Sequence, residues 1–244
     1  MLRFILTPLL ISIAIIIAVI IAASAFRYHF NAADTILVTG LAEKDFNADQ
    51  IVWKATFTRQ GMELKDAYAM LKSDEAEIRQ YLHAANIADS NIVFSSVDVQ
   101  RNYNNRMDEN GRVIGNEFSG YNLTGTVTVD SRNIPIVEKL SREITGLLQK
   151  GIELNSIPPS YYYSGLNALK IDLLANAAKD ARQRAESIAE NSGASLGNIK
   201  KATMGVFQIT GKNMNEDYSY GGAFNTTSKE KTASITLRVE YQVE

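Results

Sequence analysis

Cysteine is absent from the 244 residues, which excludes disulfide bridges, thiolate metal sites and cysteine nucleophiles together. Histidine is nearly absent as well. Only His29 and His83 occur, whereas a metal centre needs several donors gathered in one place. His29 reads as part of a short tether and His83 as a solvated residue near a helix end, so no metal and no cofactor is expected. There is no phosphate-cradling glycine loop. Gly221-Gly222 is a lone pair in a polar stretch, where flexibility explains it. Excess positive charge is missing too: without residues 1–27, which hold Arg3 and Arg27 and no acid, 23 basic side chains face 27 acidic ones. A net charge near −4 gives no electrostatic footprint for nucleic acid or anionic headgroups.

The usual reactive constellations are also incomplete. Ser119, in Phe118-Ser119-Gly120, has glycine on one side only, and His83 is the sole base candidate for a serine nucleophile. Asp108 and Asn110 begin like a calcium loop, but the closing glutamate is lacking. The acidic pairs Asp74-Glu75 and Asp108-Glu109 read as solvated groups on a helix and a hairpin tip. No catalytic residue is assigned, and the expectation is a non-enzyme.

What the chain does have is one long apolar run. Phe4 to Phe26 carries no charge and, as a helix rising about 1.5 Å per residue, would reach roughly 34 Å, enough for a hydrocarbon core of about 30 Å. Ala23-Ser24-Ala25 has the small-x-small form of a signal-peptide cleavage site, yet the run exceeds the roughly 7–15 residues of a signal core. That length favours a retained anchor over cleavage after Ala25. Arg3 tends to hold the N-terminus inside, and Arg27 pulls weakly the other way. The organisation expected is an anchor over residues 1–27, a tether over 28–34 and a single α+β domain over 35–244. Its localisation would be the bacterial inner membrane, single-pass through residues 4–26, with the domain in the periplasm, or free in the periplasm if cleaved.

Within the domain, Ile51, Trp53, Ala55 and Phe57 alternate with polar neighbours, as do Val93 to Val99, Tyr121 to Val129, and Ala233 to Val243, the longest such run. Period two marks half-buried strands. Between the second and third, Asn110-Gly111 predicts a tight hairpin turn with both residues at positive φ. Helical spacing appears in Leu64, Ala67, Leu71, Ile78, Leu82 and Ala85, with Asp74 where an apolar residue belongs. It returns from Ile134 to Lys150, with Pro135 in the first turn and Gly151 beyond the end. A third helix, Leu166 to Asn191, has Leu169, Leu173, Ala177, Ala181, Ala185 and Ile188 on one face, and its alanines predict close approach to a neighbour. A faint repeat joins the helix ends: Ile87 then Ile92, Ile152 then Ile157, and a looser version through Gly193. Helix followed by strand, three times, implies an antiparallel or mixed sheet covered by helices on one face.

Two aromatic groups rise above background. Tyr161, Tyr162 and Tyr163 put rings on both sides of a strand, and Tyr218, Tyr220 and Phe224 occupy a polar insertion, Gly211 to Ser228, with no periodicity of its own. Core packing accounts for part of this, and protein–protein contact, where tyrosine is enriched, is the functional reading. Such an insertion reads as a contact arm or a mobile loop.

The opening Val38-Thr39-Gly40-Leu41-Ala42-Glu43 strand, Gly120-Tyr121, the helix Ala177 to Ala185, Gly193, Leu196-Gly197 and Gly205-Val206-Phe207-Gln208-Ile209 together resemble the SIMPL-domain family of bacterial envelope proteins, from about Ile36 to Glu244. The resemblance implies an extracytoplasmic α+β domain that homo-oligomerises and is linked in some members to envelope or oxidative stress, with no catalytic motif to carry over. The function expected is a membrane-anchored periplasmic binding or assembly module. The alternatives are a small-molecule binder or hydrolase with a pocket between helices and sheet, and a ring-forming, channel-like assembly.

Overall fold

The alternating run at the C-terminus becomes the spine of a sheet. In a computed structural model that describes residues 13–24, 35–214 and 219–243, strand β10 (Glu230–Val243) holds β1 (Thr35–Asn47) antiparallel over its full length, from Thr35 opposite Gln242 to Asn47 opposite Glu230. The other edge of β10 carries β8 (Leu196–Met204) and β9 (Gln208–Gly211), also antiparallel. One face of this sheet is covered by helix α4 (Leu166–Asn191).

Alanine explains how closely α4 docks. Ala177, Ala181 and Ala185 are fully buried, and Gly40 in β1 lies beneath them without a side chain. A Cβ there would stand 2.1 Å from the Ala177 carbonyl oxygen and 2.6 Å from the Ala181 nitrogen. The helix therefore rests on bare strand backbone. From this position Asp180 reaches the free edge of β1 and accepts the Leu41 N–H at 2.8 Å. That bond, first, and then the Arg184 guanidinium hold the Asp180 carboxyl below its usual range, while desolvation opposes them. Ile188 sits half exposed beside the seam, and Ala189 fills the buried position expected of it.

A second sheet is built on β2 (Gln50–Gly61) and β5 (Val113–Ser131), antiparallel from Ile51 opposite Ser131 to Gly61 opposite Tyr121. Strands β6 (Glu153–Ser156) and β7 (Ser160–Tyr162) line the far edge of β2, and β3 (Ile92–Phe94) and β4 (Asp98–Met107) line that of β5. Helices α2 (Leu64–Ala84) and α3 (Ile134–Glu143) and a 3₁₀ segment (Ile144–Lys150) cover it. Its core is Trp53, Phe57, Leu123, Val127 and Val129 against Leu71, Ile78, Leu82 and Ile144. Gly125 faces Phe57 across the ladder, and a Cβ at that point would meet the ring at 2.4 Å. The buried indole is satisfied: Trp53 Nε1 donates to Ser156 Oγ at 2.9 Å, which donates to the Ser141 carbonyl at 2.6 Å.

The expectation of one sheet is thus corrected to two, each with its own helices and its own apolar cluster. All the ladders are antiparallel, not mixed, and the single parallel contact among the described residues is an isolated bridge, Ile209 to Phe224. The chain passes between the sheets at Ala48 and Asp49. There the Asp49 carboxylate accepts both the N–H and the hydroxyl of Ser164, and the Asp49 N–H donates to the Tyr162 carbonyl.

Asp74 is the second correction. It is 5% exposed and forms a two-pronged ion pair with Arg59 of β2, at 2.5 and 2.7 Å, so it belongs to the buried face of α2 through a partner supplied by another element. The hydrogen bond it donates to this carboxylate raises the Arg59 guanidinium above its already high range. The Ile134–Lys150 helix is also modified. It is α-helical only to Glu143 and tightens to 3₁₀ through Gly146, a residue that weakens helix interiors.

The faint repeat has a structural meaning. Asn86, Gly151 and Gly193 adopt positive φ of 61°, 77° and 75° just past the ends of three helical segments. The next residue in each case, Ile87, Ile152 or Ala194, donates its N–H five residues back, to Leu82, Leu147 or Ala189. This is one helix-stop motif used three times. At the N-terminus residues 13–24 form helix α1. No helix among the described residues is long and apolar enough to cross a membrane, and the rest of the Phe4–Phe26 run, with the 28–34 tether, lies outside them.

A candidate interaction surface on a free ribbon

Strand β2 stops at Gly61, but its partner β5 reaches back to Val113. From Gly120 to Val113 the only neighbour of β5 is β4, so the two strands run beyond the sheet as a ribbon. The hairpin expected around Asn110-Gly111 is present at its tip, with a turn of another type. Asp108 Oδ1 accepts the N–H groups of Asn110 and Arg112, and of the Asn-Gly pair only Gly111 has positive φ. The aspartate organises a longer turn than the two-residue type that Asn-Gly favours.

Register shifts near Tyr103 alter the facing of the ribbon. As a result Tyr103, Phe118 and Tyr121 form one aromatic ladder, with ring centroids 5.9 and 5.1 Å apart and planes at 73° and 69°, the edge-to-face arrangement aromatic pairs prefer. The ladder continues the helix-covered face of the sheet past the start of α2: Tyr121 still packs partly against the core and Phe118 is half-buried, but among the described residues no helix covers the outer end. Tyr103 is 54% exposed, and Val99, Met62, Leu64 and Tyr68 around its base are exposed as well. A shallow cavity of about 510 Å³ between Tyr68, Val99 and Tyr121 marks the corner. Periodicity did not reveal this surface, because the phase of alternation breaks in the middle of it.

The residues singled out from sequence are distributed differently. Tyr161 and Tyr163 are half-buried and turn to opposite cores. Tyr161 packs against the β2–β5 cluster and donates its hydroxyl to Glu138 Oε1 at 3.0 Å, while Tyr163 packs against the α4 cluster with its ring 4.9 Å from that of Phe46. Burial, and then that bond, push the Tyr161 phenol above its ordinary value. Tyr162, half-buried between them, pairs with Gln50. Tyr220 and Phe224 are exposed, and Tyr218 lies outside the described residues. The described part of the insertion is held to the sheet. The buried Gln208 amide donates to the Ser219 carbonyl and accepts from the N–H groups of Ser219 and Ala223, and the buried Lys231 ammonium donates to the Asn225 carbonyl.

His83 bonds Asp89 at 2.9 Å in an exposed pair, and Ser119 lies on the ribbon, so the two are not brought together. His29 lies outside the described residues. No group of three or more His, Asp or Glu side chains placed to hold a metal occurs among the described residues.

Paired antiparallel sheets, each roofed by helices and one extended into a ribbon, define an α+β protein of two fused halves. The chain belongs to the SIMPL family, described as protein of unknown function (DUF541), which matches residues 36–244. No curated protein matches it.

Proposed function

We propose that the chain is a non-catalytic, membrane-anchored assembly module whose ribbon binds a second copy on the periplasmic side of the bacterial inner membrane. One observation carries this reading: the aromatic ladder Tyr103-Phe118-Tyr121 is built to the geometry of a core, and its outer end, Tyr103, is left exposed. A two-stranded ribbon is marginal in water by itself, and contiguous exposed apolar surface marks contact sites. Tyrosine and methionine, here Tyr68, Tyr103 and Met62, are the side chains enriched in such contacts. The uncharged Phe4–Phe26 run supports the anchor, and the family membership supports an envelope role.

Light scattering on the full-length chain in mild detergent tests the assembly. The wild type should elute as a multimer, and the double variant Tyr103→Ser, Phe118→Ser should elute as monomer with unchanged far-UV circular dichroism. A wild type that stays monomeric at about 50 μM, a concentration at which contacts of micromolar Kd are filled, refutes the reading. An intact mass from native membranes reports whether residues 1–25 are retained.

A further inference from the structure

The sheet formed by β1, β10, β8 and β9 has a second face, the one opposite α4, and no helix among the described residues covers it. On it lies a cavity of about 620 Å³, floored by β1 and β10 and walled by Val206 and Tyr220. This volume falls in the range of small-molecule sites, about 300–1,000 Å³. The expected pocket between helices and sheet is therefore not the one in question, since this cavity lies on the opposite side.

Two cross-strand pairs form its floor. Leu41 is opposite Thr236, and Glu43 is opposite Ser234, so a leucine and a carboxylate stand two residues apart on one strand, each facing a hydroxyl on the other. Among the described residues Glu43 has no ion pair and no hydrogen bond, and it is the only charged side chain that lines the cavity. Ser234 is 6% exposed, and its hydroxyl also has no hydrogen-bond partner among the described residues. Among the described residues the side-chain polar atom that is both shut off from solvent and unpaired is Asn122 Oδ1, on β5 of the other sheet, so the Ser234 hydroxyl is not sealed in and opens on the cavity. Buried hydroxyls as a rule find a partner. Gln208, the other buried polar group on the lining, spends its carbonyl oxygen and one N–H on the loop it holds and has no acceptor left for an ammonium group.

We propose that this cavity binds a small organic ammonium ion with a hydrocarbon or aromatic body. An R–NH₃⁺ group has three donors and no acceptor. It would donate to the Glu43 carboxylate and to the Ser234 hydroxyl oxygen, the two groups that lack partners, while its body lies on Leu41 and Val206. A carboxylate or phosphate ligand meets only the repulsion of Glu43. A neutral ligand leaves that charge unanswered. The site is distant in sequence and sheet from the ribbon, so its failure and that of the assembly reading are separable.

Titration calorimetry of the full-length chain with phenethylamine is the test, with 3-phenylpropionate and 2-phenylethanol as anionic and neutral counterparts. Saturable one-to-one binding of the amine is expected, with the acid silent and the alcohol weaker. Glu43→Gln, an exposed substitution that leaves both cores intact, should weaken the amine about tenfold, as for loss of one charge-assisted hydrogen bond. Val206→Trp should fill the cavity and abolish binding, and Tyr103→Ser on the ribbon should leave it unchanged. Absence of saturable heat up to about 10 mM amine, or equal affinity in Glu43→Gln, overturns the proposal.

Discussion

Gly40→Ala places a single methyl group where the structure allows none. The new Cβ would lie 2.1 Å from the Ala177 carbonyl oxygen, against an ordinary contact of 3.4–4 Å, and 2.6 Å from the Ala181 nitrogen. Both obstacles are helix backbone, so no side-chain rotation relieves them, and α4 must retreat by about 1.3 Å along that line. Such a retreat stretches the 2.8 Å bond between Leu41 and Asp180 beyond hydrogen-bonding range and loosens the seam of Ala177, Ala181 and Ala185. Overpacking costs about 1–3 kcal/mol and a lost hydrogen bond to a charged group about 1.5–3 kcal/mol, so about 3–5 kcal/mol is expected together. For a chain of this size that lowers Tm by about 6–20 °C. Circular dichroism melting measures the shift, and hydrogen exchange locates it. Amides of β1, β10 and α4 should lose protection first, whereas the fluorescence of Trp53, in the other core, should report a later transition. Gly115→Ala is the control, since its Cβ would meet nothing within 4 Å. A Gly40→Ala protein melting within about 1 °C of wild type would refute the close-approach argument.

Asp74→Ala strands the part-buried Arg59 charge and should cost about 2–4 kcal/mol by urea unfolding, whereas Asp74→Ala in an Arg59→Met background should cost much less; equal costs would show the pair to be uncoupled. Asp180 has a folded pKa lowered from 3.8, so its contribution is complete above that value and is lost as pH falls through the lower folded one. Asp180→Asn should therefore flatten the acid limb of the stability curve below about pH 4 without altering its slope near neutrality, as acid titration followed by circular dichroism would show. Gln208→Ala removes three hydrogen bonds to the 219–223 segment and should speed limited proteolysis there, with cleavage mapped by mass spectrometry; an unchanged cleavage rate would mean that the backbone bridge at Ile209 suffices.

Much of the scaffold could be read directly from local order. The helix Leu166–Asn191 was marked by Leu169, Leu173 and its alanines, and its bounds agree with the spacing. The C-terminal strand was marked by six alternating apolar positions, five of which are buried. Where a residue depends on a partner from another element, local order is silent. Asp74 looked misplaced because Arg59 lies on a different strand. The division into two sheets was hidden because β1 and β2 follow one another with only Ala48 and Asp49 between them, yet take partners from opposite regions of the chain. The ribbon escaped notice because Tyr103 pairs with Phe118 only after a register shift. The lone carboxylate of Glu43 and the hydroxyl of Ser234 meet through a pairing that spans most of the sequence.

That pairing has a consequence for how the protein comes into being. Strand β10 is the centre of its sheet and follows the other described strands in the sequence, whereas β1 precedes them. The half between them, residues 50–162, contains every strand of its own sheet and is free to fold during synthesis. The other half waits, with β1 unpaired and α4 lacking the surface it rests on, until β10 has been made. Removal of β10 would thus yield one finished half and one that never closes.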